Sequence, residues 1–289
     1  MKILNASGCL DALVAPHIAR QLDVFVTKTV TPLPRPGNRP TRVAETGGGM
    51  LNSIGLANPG IDAFMTEALP RLAELEVPLW VSVGGFCAAD YEAVCARLEE
   101  REEVAAIELN VSCPNVASPD EEVSQIVAAA RAVTNKTLYT KLSPSLPDVG
   151  TIAGAAEAAG SDGLSLVNTL RGLALGPELD PVLSTASGGL SGPPLRAVAL
   201  AAVYTAYGAT KLPIVAMGGV ETGRHALEFV AAGASACALG TVLFRDPEAP
   251  ARVRRELEAE AAELGFRTPL AARGTAHRGG EKKGLAAVA

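Results

Sequence analysis

The 289-residue sequence lacks the features of several classes of protein. Its 25 Lys and Arg residues against 31 Asp and Glu give a formal net charge of −6, so there is no basic surplus to neutralise the phosphates of a nucleic acid. No stretch approaches the roughly 18 consecutive apolar residues of a membrane helix, and the first residues contain no signal-peptide segment. These absences favour a cytoplasmic protein that binds neither nucleic acid nor a membrane.

Cysteine is too scattered to indicate a metal site. The five cysteines, Cys9, Cys87, Cys95, Cys113 and Cys237, form no Cys-x-x-Cys pair, the spacing that is typical of zinc and iron–sulfur sites. We therefore expect no metal, no iron–sulfur cluster and no disulfide framework in this chain.

What the sequence does contain is an alternation of short apolar runs with helical patterns. The eight runs are 2–7, 24–30, 79–85, 106–112, 138–143, 163–169, 213–219 and 237–241. Amphipathic helical patterns between them include 89–101, 120–134 and 224–233. Eight strand–helix repeats predict an α/β fold of the TIM (β/α)8 barrel type. An open doubly wound sheet is the alternative, which the absence of any G-x-G-x-x-G or G-x-x-x-x-G-K-[ST] motif disfavours.

Two segments interrupt this alternation, and one follows it. Residues 31–60 and 170–193 are rich in Pro and Gly and are expected to be long functional loops without secondary structure of their own. No linker divides the chain, so we predict a single barrel domain over 1–265. Residues 266–289 lose the pattern and are predicted to be a flexible tail.

The active site of a TIM barrel lies at the carboxyl ends of its strands, so the polar residues there are the candidates for chemistry. At any one position, a polar residue can equally mean that the chain reaches the surface. The candidates are Ser7, Lys28, Ser82, Asn110, Cys113, Asn115, Lys141, Asn168, Thr169, Gly218, Gly219, Gly240 and Thr241.

Two of these candidates, Lys28 and Lys141, end otherwise apolar strands and should project into the mouth of the barrel. Since no acidic residue stands at these strand ends, we expect their anionic partner to be a ligand. The alternative is a surface lysine whose stem packs on apolar neighbours.

Glycines close the last two strands, at Gly218–Gly219 and Gly240–Thr241. Exposed backbone N–H groups after strands seven and eight bind phosphate in many barrels, although glycine also serves any tight turn. The two pairs together predict a phosphate-bearing cofactor, and the absence of a dinucleotide motif favours a mononucleotide.

Cys113 lies in the loop sequence "NVSCPN" (110–115), among polar residues rather than in the core. We expect three other cysteines, Cys87, Cys95 and Cys237, to be inert residues of the core. No histidine follows a strand end, so a Cys–His nucleophile pair has no support. A cysteine that acts as general base on a carbon acid remains open.

Several motifs together resemble the dihydroorotate dehydrogenase family. They are "VTKTVT" (26–31), "RPGN" (35–38), "MLNSIGLANPG" (50–60), "NVSCPN" (110–115), "YTKLSP" (139–144), "VNT" (167–169), "GGLSGPP" (188–194) and "MGGV" (217–220). They occur in the order of the family and span most of the chain between Ser7 and Thr241.

This resemblance implies a TIM barrel with FMN that oxidises (S)-dihydroorotate to orotate in de novo pyrimidine biosynthesis, with Cys113 as the catalytic base. The residues that would contact FMN are Ser7, Lys28, Thr29, Ser82, Asn110, Lys141, Val167, Gly192, Gly218, Gly219, Gly240 and Thr241. Those that would bind the pyrimidine are Lys28, Asn52, Ser53, Ile54, Gly55, Leu56, Asn110, Asn115, Asn168 and Thr169.

The resemblance also implies a class and a partner. Cysteine at position 113, where class 2 enzymes have serine, is typical of class 1. The segments 26–38 and 42–56 are most similar to the NAD-linked type rather than the fumarate-linked homodimer. That type implies a homodimer, or a heterotetramer with a reductase subunit that carries FAD and a [2Fe–2S] cluster.

The chain departs from the family pattern in two places. Ser82 stands where an asparagine is expected near the flavin, which would remove one amide contact. The first strand begins almost at the first residue, so the N-terminal hairpin that covers the bottom of the barrel is expected to be absent or replaced by a neighbouring subunit.

Two alternatives stay open at this point. One is another FMN enzyme acting on a pyrimidine, either a reductase like dihydropyrimidine dehydrogenase or a tRNA-dihydrouridine synthase, although the negative charge disfavours RNA binding. The other is a non-catalytic flavin-binding subunit, which the presence of the Lys, Cys and Asn residues disfavours.

Overall fold

Twelve β-strands and ten α-helices lie in residues 1–111 and 119–278, which the computed structural model describes. The strands are β1 (Lys2–Asn5), β2 (Phe25–Val26), β3 (Val43–Thr46), β4 (Gly49–Asn52), β5 (Leu79–Val83), β6 (Val104–Asn110), β7 (Thr137–Leu142), β8 (Gly163–Leu166), β9 (Leu170–Leu173), β10 (Ser187–Ser191), β11 (Ile214–Met217) and β12 (Ala236–Leu239). The helices are α1 (Pro16–Ala19), α2 (Gly60–Ala63), α3 (Leu69–Ala73), α4 (Ala88–Glu99), α5 (Pro119–Val133), α6 (Val149–Ala158), α7 (Arg196–Ala209), α8 (Gly223–Ala232), α9 (Ala249–Glu263) and α10 (Thr275–Arg278). A π-helix over Phe64–Ala68 connects α2 to α3.

Eight of the strands form one parallel sheet in the order β1-β12-β11-β8-β7-β6-β5-β2. A parallel bridge between Leu4 and Val24 joins the two ends of the sheet and closes the barrel. The Asn5 side chain also spans this seam, because its Nδ2 donates to the Val26 carbonyl at 2.7 Å and its Oδ1 accepts from the Val26 N–H at 2.8 Å. Each predicted apolar run overlaps one barrel strand, so the predicted (β/α)8 fold is confirmed.

Apolar side chains fill the lower part of the barrel. Leu4, Val26, Val215 and Met217 lie in one buried cluster inside it with other small and branched residues. Trp80 and Tyr139 pack against this cluster with their ring centroids 4.3 Å apart. The barrel is therefore a packed core rather than a pore, as is usual for the fold.

The two Pro- and Gly-rich segments are not loops without secondary structure, as predicted. They supply β3, β4, β9 and β10, which form a four-stranded antiparallel sheet in the order β3-β4-β10-β9. The prediction was wrong because β4 and β10 pair with each other across more than 130 residues of sequence, for example Leu51 with Leu190. Short glycine-rich strands of this kind gain their stability from that long-range pairing, which no local pattern shows.

The predicted end of the folded domain at residue 265 is also too early. A 3-10 turn over Pro269–Ala272 and helix α10 follow α9. They cover the carboxyl end of α8, where the Gly274 N–H bonds to the Val230 carbonyl at 3.1 Å and the Arg273 Nε–H to the Gly233 carbonyl at 2.8 Å. These bonds satisfy carbonyl groups that a helix end leaves unpaired.

In the described part of the chain, none of the helices has both the length and the apolar character needed to span a membrane.

Candidate active site

A cavity of about 780 Å³ lies at the carboxyl ends of the barrel strands. Residues that follow β1, β2, β5, β8, β11 and β12 line it, as do the last residue of β6 and Lys141 near the end of β7. Small-molecule sites occupy about 300–1,000 Å³, so the cavity can hold a ligand as large as a mononucleotide together with a small substrate.

Most of the candidate residues from the sequence line this one cavity. Those in its wall are Ser7, Lys28, Thr29, Asn52, Ser53, Ile54, Gly55, Leu56, Asn110, Lys141, Val167, Asn168, Thr169, Gly192, Gly218, Gly219, Gly240 and Thr241. They come from nine separate segments of the chain, which only the closed barrel and the added antiparallel sheet bring together.

A chain of hydrogen bonds connects the polar side chains along one side of the cavity. Asn110 donates from Nδ2 to Thr29 Oγ1 at 3.2 Å, and it accepts at Oδ1 from Asn168 Nδ2 at 3.0 Å. The Thr169 N–H in turn bonds to Asn168 Oδ1 at 2.8 Å. Because each amide has a defined donor and acceptor partner, the two amides are held in fixed orientations before any ligand binds.

Lys141 lies at the floor of the cavity and is almost fully buried. Its Nζ donates to Ser7 Oγ at 2.8 Å and lies 3.6 Å from Oε1 of the buried Glu108. The expectation that its anionic partner is a ligand is therefore incomplete. Glu108 lies in β6, two residues before Asn110 at the end of the strand, so the two side chains point to the same face of the sheet. Only residues at the strand ends were considered as candidates from the sequence, and Glu108 was therefore missed.

Lys28 differs from Lys141 in its surroundings. Within residues 1–111 and 119–278, no carboxylate lies within 4 Å of its ammonium group. Burial lowers the pKa of Lys28, and the nearby Lys141 cation lowers it further. An anionic ligand beside Lys28 would offset both effects by favouring its charged form.

Cys9 lies in the cavity wall between the two lysines and was not predicted as a site residue. Burial raises the pKa of the Cys9 thiol, and this outweighs the opposite effect of Lys141 and Lys28. Cys9 is consequently a neutral thiol near pH 7 and is a poor candidate for a base.

Three glycine-containing turns meet at the other side of the cavity. Gly192 and Gly219 have φ angles of +90° and +72°, which favour glycine, and a Cβ on Gly219 would lie 2.8 Å from the Gly192 carbonyl oxygen. Beside them, the Thr241 hydroxyl bonds to Ser191 Oγ at 2.9 Å. Exposed backbone and two hydroxyls make this corner suited to a phosphate group. The helix after Gly240 is a 3-10 turn over Thr241–Phe244 rather than an α-helix.

The antiparallel sheet forms another part of the cavity wall, in addition to the part that contains Asn110 and Asn168. Asn52 at the end of β4 donates from Nδ2 to the Gly189 carbonyl at 3.3 Å. Glycine is required at position 188, next to the residue paired with Asn52, since a Cβ on Gly188 would lie 2.5 Å from the Asn52 carbonyl oxygen. The sheet thus places a third asparagine amide at the cavity.

Other residues in the wall were not predicted individually. Arg35 and Phe86 pair near the mouth, with the guanidinium carbon 4.5 Å from the ring centroid. The remaining residues of the wall are Ala6, Gly8, Val43, Met50, Gly85, Gly188, Gly189, Ser191, Leu195, Met217 and Phe244. Those at 43, 50, 188–195 and 217 lie within or next to the segments that carry the resemblance, so extending those segments would have found them.

The structure corrects the placement of Ser82. Its side chain is fully buried and does not line the cavity, and its Oγ lies 3.0 Å from Thr29 Oγ1. The serine side chain reaches Thr29, which stands between it and the cavity. Ser82 therefore supports a cavity residue rather than reaching a ligand.

Two predicted residues, Cys113 and Asn115, lie outside the residues that the structure describes. Their roles remain predictions from the resemblance.

Comparison with known proteins decides the family. The family model described as Dihydroorotate dehydrogenase matches residues 2–260, which include the whole cavity wall. The chain belongs to the dihydroorotate dehydrogenase family.

Curated relatives and solved structures agree with this family. The chain is 42% identical over 289 residues to a protein of Desulforudis audaxviator named dihydroorotate dehydrogenase B (NAD(+)), catalytic subunit, with 96% of this chain and 94% of that protein covered. It is 44% identical over 275 residues to a protein of the same name from Latilactobacillus sakei, covering 90% of this chain and 89% of that one. A crystal structure of DHODH from Eimeria tenella in complex with ferulenol superposes with a TM-score of 0.81 at 25% identity, covering 96% of this chain and 86% of that one.

Proposed function

We propose that this chain is the FMN-containing catalytic subunit of an NAD-linked dihydroorotate dehydrogenase, which oxidises (S)-dihydroorotate to orotate in pyrimidine biosynthesis. The observation that carries the proposal is the convergence of two lysines, three asparagine amides and a glycine-walled corner in one cavity. The names of the curated relatives support the same activity.

FMN suits the cavity on the chemistry of its donors. The corner at Gly192, Gly219 and Thr241 would take the phosphate, which fits because side chains larger than glycine would fill the space there. Lys141 at the cavity floor would supply a fixed cation, which favours the negative charge of a reduced flavin. When bound, FMN supplies the acceptor for the hydride from C6 of dihydroorotate.

The asparagine amides suit the substrate. Each amide offers one acceptor and two donors, which match the alternating carbonyl and N–H groups at the edge of a pyrimidine ring. Asn52, Asn110 and Asn168 lie in the cavity wall and would bind that edge, with Lys28 as the counter-ion for the negative charge of the ligands. Buried amides left unpaired are costly, so analogues without these groups should be rejected strongly.

The reaction also requires a base for the proton on C5 of dihydroorotate. We assign this role to Cys113 from the resemblance, because a thiol with an ordinary pKa of about 8.5 is partly thiolate near neutral pH. Cys9, the thiol that the structure places in the cavity wall, does not suit the role because burial raises its pKa.

The electrons would leave through a partner subunit. The relatives are named as catalytic subunits, which supports a partner subunit. From the resemblance, we propose a heterotetramer with a reductase subunit that carries FAD and a [2Fe–2S] cluster. A homodimer of this chain would form its core.

Assay of orotate formation with two acceptors tests the proposal. The purified chain, alone and after co-expression with a candidate reductase subunit, is supplied with dihydroorotate and either NAD or fumarate. We expect NAD-dependent orotate formation with the reductase subunit, and little with NAD when the chain is alone. Efficient fumarate-dependent turnover by the chain alone would contradict the NAD-linked assignment, and the absence of orotate under every condition would contradict the activity.

A further inference from the structure

A layer of four polar side chains lies inside the barrel, between the apolar core below and the cavity above. Ser82, Glu108, Lys141 and Ser165 stand on the adjacent strands β5, β6, β7 and β8. Ser82 is in register with Glu108, and Lys141 is in register with Ser165, while between β6 and β7 Lys141 is in register with Asn110, two residues beyond Glu108. All four are buried, and Lys141 is the member that reaches the cavity wall.

Glu108 is the unusual member of this layer. Its side chain is 1% exposed, and its Oε1 has no hydrogen-bond partner among the described residues. The Lys141 ammonium group at 3.6 Å is too distant for a hydrogen bond, but it is close enough for an ionic contact. A buried carboxylate is costly unless a charge compensates it, and Lys141 supplies that charge.

Contacts on two sides fix the position of the Lys141 ammonium group. Its hydrogen bond goes to Ser7 Oγ at 2.8 Å, towards the cavity, while Glu108 lies behind it in the strand that precedes β7. Without Glu108, two buried ammonium groups, Lys141 and Lys28, would stand near each other with no carboxylate in the described part of the chain to offset them. Burial and mutual repulsion would then make the two charges costly.

We propose that Glu108 is a positioning residue that offsets the charge of the Lys141 ammonium group and fixes it at the cavity floor, and so controls how strongly the site favours reduced flavin. This inference rests on the proposed function, because it requires FMN in the cavity. It assigns to Glu108 an effect through Lys141 and not a contact with a ligand.

The test compares the two-electron midpoint potential of bound FMN in the parent and in Glu108→Gln across about pH 6 to 9, a range in which a buried amine can titrate. Dithionite supplies the electrons and is oxidised to sulfite, and redox dyes report the equilibrium. In the variant the buried cations lose the carboxylate that offsets them, so we expect uptake of one additional proton at the site as the flavin gains two electrons. The potential of the variant should therefore fall more steeply with pH, and it should be lower than that of the parent at the alkaline end.

Two further variants separate charge from packing. Glu108→Asp retains a carboxylate and should restore the pH profile of the parent. Ser165→Ala removes a buried hydroxyl from the same layer without changing its charge, and its profile should match the parent.

Parallel profiles for Glu108→Gln and the parent would overturn the assignment of Glu108 while leaving the proposed function intact. A steeper profile that is equally present in Glu108→Asp would overturn it as well, because packing would then be the cause. A parent chain that binds no FMN contradicts both proposals, and one that binds FMN but forms no orotate contradicts the proposed function alone.

Discussion

Replacement of Cys113 by alanine is expected to leave FMN bound and to lower the rate of dihydroorotate oxidation by about 10²–10⁴-fold, the range that a positioned general base contributes. The alanine removes the group that takes the C5 proton and leaves the described cavity wall unchanged. Steady-state rates and the flavin absorbance of the purified variant measure the two effects separately.

Serine at the same position gives a graded result. Cys113→Ser should retain part of the activity with its optimum at higher pH, because a hydroxyl gives up its proton less readily than a thiol. Contrary to the expectation of a core position, Cys87 is an exposed free cysteine outside the cavity wall. Cys87→Ala is therefore the matched control and should keep the parent rate. A parent rate in Cys113→Ala would remove the thiol from the mechanism.

Replacement of Lys141 by methionine is expected to destabilise the FMN-free protein by about 3–5 kcal/mol, because it leaves the buried Glu108 carboxylate without a counter-charge. Urea denaturation near pH 7 measures this change. In the FMN-loaded protein the same variant should lower the reduction potential of the flavin, since the cation at the cavity floor is lost.

The double variant Glu108→Leu with Lys141→Met should recover most of the lost stability, because it replaces the ion pair by apolar groups of similar size. Lys136→Met is the control for the substitution itself. Lys136 precedes β7, donates to the Arg101 carbonyl at 2.9 Å and forms no ion pair within 4 Å in the described residues. A loss in Lys141→Met no larger than in Lys136→Met would show that the buried pair does not contribute as inferred.

The barrel could be predicted from the sequence because its strands are buried on both faces. Such strands are nearly continuous apolar runs, and "LWVSVGG" at 79–85 or "GLSLVNT" at 163–169 are recognisable without any partner strand. The antiparallel sheet could not, because β4 and β10 are short, rich in glycine and only partly buried. Their pairing depends on the barrel that brings them together.

The same distinction holds for the candidate site. Strand-end residues such as Lys28, Asn110 and Asn168 were predictable because a barrel gathers all its strand ends at one edge. Glu108 and Cys9 were missed because their importance depends on their neighbours in the folded chain. Glu108 pairs with Lys141, and Cys9 lies near both Lys28 and Lys141. A residue type at a strand position does not show which neighbour from another strand it will meet.

Anaerobic titration of the purified chain with dihydroorotate is the most direct measurement of whether this cavity oxidises a pyrimidine through a bound flavin. We expect one FMN per chain, loss of the absorbance of oxidised flavin in proportion to the dihydroorotate added, and completion at one equivalent with orotate as product. A protein that contains no FMN, or one whose flavin spectrum does not change when dihydroorotate is added, would contradict the conclusion that this cavity oxidises dihydroorotate through a bound flavin.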